Sequence, residues 1–352
     1  MRHTVHVLTV VLSHITKFIN SFNPPLPNVV GIELLNEPAP AHHTVALKQW
    51  YSDAIRSLRV IDADVPIVIS DSWQTDDYAG YLSHTAGSLQ YPNLILDHHL
   101  YRCFTQEDIN TLAYDHAGRL WDLNGGVRQT FARVTDKLES AGCDMIVGEW
   151  SGALNPKSLD PLPNKDHARS QFIQAQVDLY EQYCAGNFFW TYKKQWEGDR
   201  GWSFRDAVRA GVFPKSIGLR LKRPLEYYQH EPRLNAREAA KNRSLGTHSL
   251  CLFSHRHLVA KCRRNRPVEG EHEAYWSQRP GSYEHWRFSD GFIQGWDDAY
   301  AFFAFAGGPV LSELGYKGAW SKIRERAHVA NRGNGSCVWE YSKKLPLALN
   351  NQ

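Results

Sequence analysis

The chain has 352 residues, with 40 Lys and Arg against 37 Asp and Glu for a net charge of +3, 42% hydrophobic residues and 12 Trp. This composition excludes a disordered or collagenous chain, and no apolar run approaches the roughly 18 residues of a membrane-spanning helix. The length fits two domains or one large α/β domain with an appendage. Six Cys without CxxC spacing do not make a disulfide scaffold and read as mostly buried thiols. The Val-rich start, Val7 to Ile15, is interrupted by His14 and has no small-residue cleavage site, so no signal peptide is expected.

In chain order, Leu8, Val11, Leu12, Ile15, Ile19 and Phe22 follow a 3.6-residue period and predict a helix over Thr4 to Phe22, stopped by Pro24, Pro25 and Pro27. The run Val29 to Asn36, closed by Pro38, predicts a buried strand. The alternation then continues: helix Ala46 to Ile61, strand Val65 to Ser70, a turn-rich stretch, strand Asn93 to His99, helix Gly126 to Ala141, strand Met145 to Glu149, helix His167 to Tyr183 and strand Asn187 to Thr191. Strands alternating with helices predict βαβ units around a parallel sheet.

Composition changes after about residue 225. The stretch Glu226 to Pro267 holds nine Lys or Arg against three Glu, so a basic linker or long loop is expected over 226–270. No aromatic side chains interleave Lys261 to Arg266, so no nucleic-acid partner is expected. An aromatic-rich region follows over 271–345. Within it Phe288, Phe292, Trp296, Tyr300 and Phe303 recur every three or four residues, the pattern of a helix face that packs into a core.

Polar and aromatic residues gather where the predicted strands end: Asn36 and Glu37, Asp71 and Trp73, His99 and Tyr101, Glu149 and Trp150, and Trp190. In parallel α/β folds catalytic residues collect there, because the sheet fixes the roots of the loops. One strand-end Glu is more often a structural ion-pairing group. Two of them, accompanied by His99, Tyr101 and Trp190, favour paired-carboxylate chemistry such as glycoside hydrolysis. His98 beside His99 has no partner at metal-ligand spacing, so neither a metal nor a cofactor is expected.

The segments Leu35-Asn36-Glu37-Pro38, Asp97-His98-His99-Leu100-Tyr101, Val147-Gly148-Glu149-Trp150 and Phe188 to Lys193 resemble, in order, the fourth, sixth, seventh and eighth strand ends of glycoside hydrolase family 5, and most of all its fungal exo-β-1,3-glucanase branch. The resemblance spans residues 1–225. It implies an α/β fold containing strands 4 to 8 of a (β/α)8 TIM barrel, with the aromatic-rich, mainly helical region as a C-terminal extension. Nothing here resembles the family's first three strands, so an N-terminally shortened member is expected, with unpaired sheet edges and poor stability and activity when expressed alone.

The resemblance implies Glu37 as acid/base and Glu149 as nucleophile of a retaining mechanism. It implies that Asn36 binds the sugar 2-hydroxyl, that Tyr101 positions Glu149, that His99 lines the same subsite, and that Trp190 forms an apolar floor for the sugar ring. Phe104 and Trp73 are candidate clamps at the entrance, Trp73 standing where the family would have Phe. The implied substrate is a β-glucan or oligosaccharide, in an extracellular or cell-wall setting. Two other readings stay open, namely an inactive remnant or carbohydrate-binding protein, and a β-1,4-glucanase or mannanase. The oligomeric state is not legible.

Overall fold

The computed structural model describes residues 2–22, 29–39, 44–89, 91, 93–214, 268–305 and 317–342. They fall into two compact units, one of 1–217 with 313–320 and one of 218–312 with 321–352. Most of the expected basic linker, 226–267, lies outside the described residues.

In the first unit the elements run α1 (Arg2–Asn20), β1 (Ile32–Glu33), α2 (Thr44–Arg59), β2 (Ile67–Ser70), α3 (Thr75–Leu89), β3 (Leu94–Leu100), α4 (Gln106–Asn110), α5 (Ala113–Trp121), α6 (Gly126–Ser140), β4 (Asp144–Trp150), α7 (Pro156–Leu159), α8 (Lys165–Tyr183), β5 (Gly186–Phe189) and α9 (Phe204–Arg209). The five strands are all parallel and lie in the order β1-β2-β3-β4-β5. They form a half-barrel, that is, a partial TIM barrel.

Strand residues alternate between two faces. Ile67, Ile69, Leu94, Leu96, Met145 and Val147 join the main apolar core with helix residues such as Leu58, Leu82, Val134 and Phe172. The opposite, inner face carries the small cluster Val68, Ile95, Ile146 and Ala185. The same inner face carries Glu33, Asp97 and His99, which converge.

Two expectations need correcting. The strand read over 29–36 is ordered as β only at Ile32–Glu33, because the chain turns toward a left-handed Glu37 (φ 42°) ahead of Pro38. The turn-rich stretch after Ser70 instead holds α3. Its Gly, Ser and Thr content is unfavourable for a helix, but Tyr78, Ala79, Leu82 and Ala86 form a buried stripe, and tertiary packing overrides propensity. The short helices α4 and α5 were likewise not anticipated. Among the described cysteines, Cys143 and Cys337 are buried and Cys103 and Cys184 half-buried; Cys251 and Cys262 lie outside the described residues.

The second unit contains α10 (Val268–Ser277), α11 (His285–Phe305), most of α12 (Lys317–Arg332) and α13 (Val338–Ser342). The expected aromatic helix is α11. Phe288 and Phe292 are buried, while the side chains of Trp296, Tyr300 and Phe303 lie outside the described residues. No described helix is long and apolar enough to cross a membrane.

If packing drives α3, Leu82→Ala should lower stability by about 2–5 kcal/mol, whereas exposed His84→Ala should stay within about 0.5 kcal/mol. Urea unfolding of the two variants is the check, and equal effects would contradict the packing explanation.

Candidate active site

The site is built around an irregularity in β4. Between β3 and β4 the register runs His98↔Val147 and then His99↔Glu149, so Gly148 is an extra, bulged residue. A bulge leaves a peptide unpaired and re-aims the side chain that follows it. Here the Asp97 carboxylate accepts the orphaned Gly148 N–H at 2.6 Å. A Cβ on residue 148 would collide with that carboxylate, which explains the glycine. The bulge sets Glu149 opposite His99.

Asp97 holds His99 as well. The Nε2 of His99 lies 3.0 Å from Asp97 Oδ2, and its Nδ1 lies 2.7 Å from Glu37 Oε1 and 3.7 Å from Glu149 Oε2. Burial disfavours a charged imidazole, but Asp97, Glu37 and Glu149 outweigh it and push His99 up to about 9. Near neutral pH both ring nitrogens therefore donate, one to Asp97 and one to Glu37. The hydroxyl of Tyr101 donates to Glu149 Oε2 at 2.6 Å. Burial and that carboxylate push its phenol well above the usual range.

Oxygens of Glu37 and Glu149 and a nitrogen of His99 all lie within 4.8 Å of one another. Glu149 is the more enclosed carboxylate, 18% exposed against 34% for Glu37. The left-handed φ of Glu37 is uncommon for a residue with a Cβ, and such strain clusters at functional sites. Its loop is tied to the end of β2 by Ser72 Oγ, which donates to Pro38 O at 2.8 Å.

The structure brings all eight site residues read from the sequence, Asn36, Glu37, Trp73, His99, Tyr101, Phe104, Glu149 and Trp190, to the lining of one cleft of about 950 Å³. Trp73, Phe104 and Trp190 expose large apolar surfaces. Phe104 immediately precedes the Thr105–Asp108 capping box of α4, which fixes its root.

Besides Asp97, which the sequence reading quoted within a motif without giving it a role, sequence reasoning missed two participants. Trp202 also lines the cleft, with ring centroids 5.4 Å from Tyr101 and 6.1 Å from Phe104. Its backbone C=O accepts from Thr191 N–H at 2.7 Å, placing it beside the Trp190 strand end. The other is Glu33, half-buried beneath the cleft. Burial and then the neighbouring Asp97 push its carboxyl up to about 8, and its buried Oε1 has no hydrogen-bond partner among the described residues. A carboxylate alternating with the apolar Ile32 and Leu34, at even spacing from Glu37, was the available signal.

Two predictions follow from this geometry. Gly148→Ala should cost about 1–3 kcal/mol of stability through overpacking and displace Glu149; a crystal structure of the variant with the Asp97–Gly148 contact intact would contradict it. The second concerns protons. Glu33 and His99 both hold protons more tightly folded than unfolded, so their stabilisation is complete below about 4.5 and 6.5 and is lost as pH rises through about 8 and about 9. Glu33→Gln should flatten the part of this decline between about 4.5 and 8. Urea midpoints measured across that range test it, and an unaltered slope would remove Glu33 as a protonated group.

The family model for cellulase (glycosyl hydrolase family 5) matches residues 12–195, and that for the glucan 1,3-beta-glucosidase 3 C-terminal domain matches 260–349. An uncharacterized glycosyl hydrolase of Saccharomyces cerevisiae is 25% identical over 334 residues, covering 94% of this chain and 56% of that protein. Glucan 1,3-beta-glucosidase 3 of Schizosaccharomyces pombe is 26% identical over 339 residues, covering 94% and 59%. A glucan 1,3-beta-glucosidase of Yarrowia lipolytica is 27% identical over 221 residues, covering 53% and 48%. The chain spans about half the length of the curated relatives it matches. With a family model matching more than half of its residues, the chain belongs to glycosyl hydrolase family 5.

Proposed function

We propose that this glycoside hydrolase cleaves β-1,3-linked glucose from glucan chain ends with retention, using Glu149 as nucleophile and Glu37 as acid/base. The observation that carries the reading is the closeness of the two carboxylates, with an oxygen of each within 4.8 Å of the other. Retaining pairs sit about 5–5.5 Å apart, whereas inverting pairs stand about 6.5–9.5 Å apart to admit a water.

The roles follow from the surroundings. Glu149 is the more enclosed carboxylate and is oriented by the Tyr101 hydroxyl, as suits a nucleophile attacking the anomeric carbon. Glu37 is more open to the cleft, where a leaving oxygen needs its proton. As the anomeric carbon bonds to Glu149, the glycosidic C–O bond breaks and the Glu37 proton goes to the departing oxygen. In the second step Glu37 takes a proton from water as that water attacks the anomeric carbon, and the bond to Glu149 breaks. The His99 cation supports the Glu37 carboxylate between the two steps through Nδ1–H.

Asn36 is assigned to the sugar 2-hydroxyl and Trp190 to the apolar face of the ring. Phe104, with Trp202 against it, and Trp73 offer aromatic surface toward the cleft mouth. The preference for 1,3-linked glucan rests on relatives named glucan 1,3-beta-glucosidases.

The two Glu roles separate in azide rescue with an activated aryl β-glucoside. Glu149→Ala should be inactive and, with azide, yield the α-glucosyl azide, because azide enters from the vacated nucleophile side. Glu37→Ala should yield the β-glucosyl azide and lose about 10²–10⁴-fold on unactivated laminarin-type glucan. Interchanged anomers would reverse the assignment, and release of α-glucose by the unaltered enzyme would rule out retention.

A further inference from the structure

Three potential metal ligands converge in the second unit, away from the cleft residues in sequence and within a unit of their own. His272 on α10, His285 at the first position of α11 and Glu340 on α13 place one ligand atom each within 4.8 Å of one another. The Nε2 of His272 lies 2.8 Å and the Nδ1 of His285 3.0 Å from the same oxygen, Oε2 of Glu340. We propose that His272, His285 and Glu340 form a binding site for a divalent transition-metal ion, with Zn²⁺ the best fit.

The carboxylate is wholly buried, and its other oxygen accepts the Glu284 N–H at 2.9 Å, an outer hydrogen bond of the kind that orients a metal-binding carboxylate. Both rings are held: His272 stacks on Phe288 with centroids 3.8 Å apart, and His285 stacks against Tyr283 at 5.7 Å. Tetrahedral coordination at about 2.0–2.1 Å separates ligand atoms by about 3.3 Å, so small outward shifts of the oxygen admit an ion. A His₂Glu set leaves one position for water, and His285, 27% exposed, leaves a side open to solvent. Two imidazoles select Zn²⁺ or its neighbours over Mg²⁺ or Ca²⁺.

The competing arrangement is a carboxylate whose Oε2 accepts one hydrogen bond from each imidazole, the two ring centroids standing 5.1 Å apart. One divalent ion satisfies all three ligands while both rings stay neutral. The nearby Arg287 guanidinium is engaged by Glu284 Oε2, His328 Nε2 and Gly333 O. The ion would clasp residues 55 to 68 positions apart, so binding should raise thermal stability.

The test uses the full chain, loaded with Zn²⁺ and freed of excess metal by gel filtration. About one Zn²⁺ per chain should remain, and X-ray absorption should report two imidazole ligands. That number discriminates among the described residues, where the two other potential ligand groups, Glu33 with Asp97 and His99, and Glu37 with His99 and Glu149, contain one imidazole each. Binding should survive His99→Ala and weaken at least about 100-fold in His285→Ala, beyond the usual effect of losing an outer-sphere partner. Folding of each variant is checked by circular dichroism; should either not fold, the absorption spectrum of the unaltered chain decides. A folded chain that retains no Zn²⁺, a one-imidazole spectrum, or binding lost in His99→Ala but kept in His285→Ala would each overturn the proposal.

Discussion

The carboxylate of Asp97 holds the site together. It takes up the N–H left unpaired by the bulge at Gly148 and the Nε2–H of His99. The first contact stabilises a break in β4 pairing that would otherwise leave a buried donor unsatisfied, a loss of about 1–3 kcal/mol. The second fixes the imidazole whose other nitrogen reaches Glu37. Through one side chain on β3, the end of β1 and the end of β4 are thereby given a common geometry. The glycine at 148 is part of the same arrangement, because the carboxylate occupies the space where a Cβ would stand.

This arrangement gathers negative charge. Asp97, Glu37 and Glu149 all lie near His99, with Glu33 behind Asp97. Leaving four carboxylates ionised around one partly dehydrated spot would be unfavourable, and the site answers in two ways. His99 holds its second proton, and Glu33 holds its own because burial and Asp97 disfavour its charge. In the proposed mechanism negative charge moves from Glu149 to Glu37 and back. The buried His99 lies within 3.7 Å of both carboxylates, placed to offset that charge in either half-reaction.

Much of the site was legible because β-strands of a parallel sheet announce their ends: an apolar run followed by Asn36-Glu37, His99 with Tyr101, or Glu149-Trp150 is conspicuous, whereas the part of Asp97 emerges only from its contacts with Gly148 and His99. Trp190 was found by the same reading, whereas Phe104 came only from the family resemblance. Glu33 was passed over because a carboxylate two residues inside an apolar strand reads as part of the strand, although its spacing from Glu37 put it on the inner face. The bulge at Gly148 is a matter of pairing register, which no single strand reveals. Trp202 depends on a backbone pairing with Thr191 eleven residues earlier. Helix α3 was missed because its Gly, Ser and Thr residues look like turns until the sheet offers Tyr78 and Leu82 a surface. In the second unit the aromatic period of α11 was visible, but ligands at 272, 285 and 340 share no local spacing.

The central claim, that the bulged strand delivers Glu149 to the anomeric carbon while Glu37 handles the proton, is tested most directly by trapping the covalent intermediate. Incubation with an activated 2-deoxy-2-fluoro-β-glucoside, followed by proteolysis and peptide mass spectrometry, locates the sugar. The account predicts a single fluoroglucosyl ester on Glu149 that is lost as activity returns on incubation with an acceptor sugar. A label on Glu37, or turnover of the substrate with no ester at any stage, would contradict it.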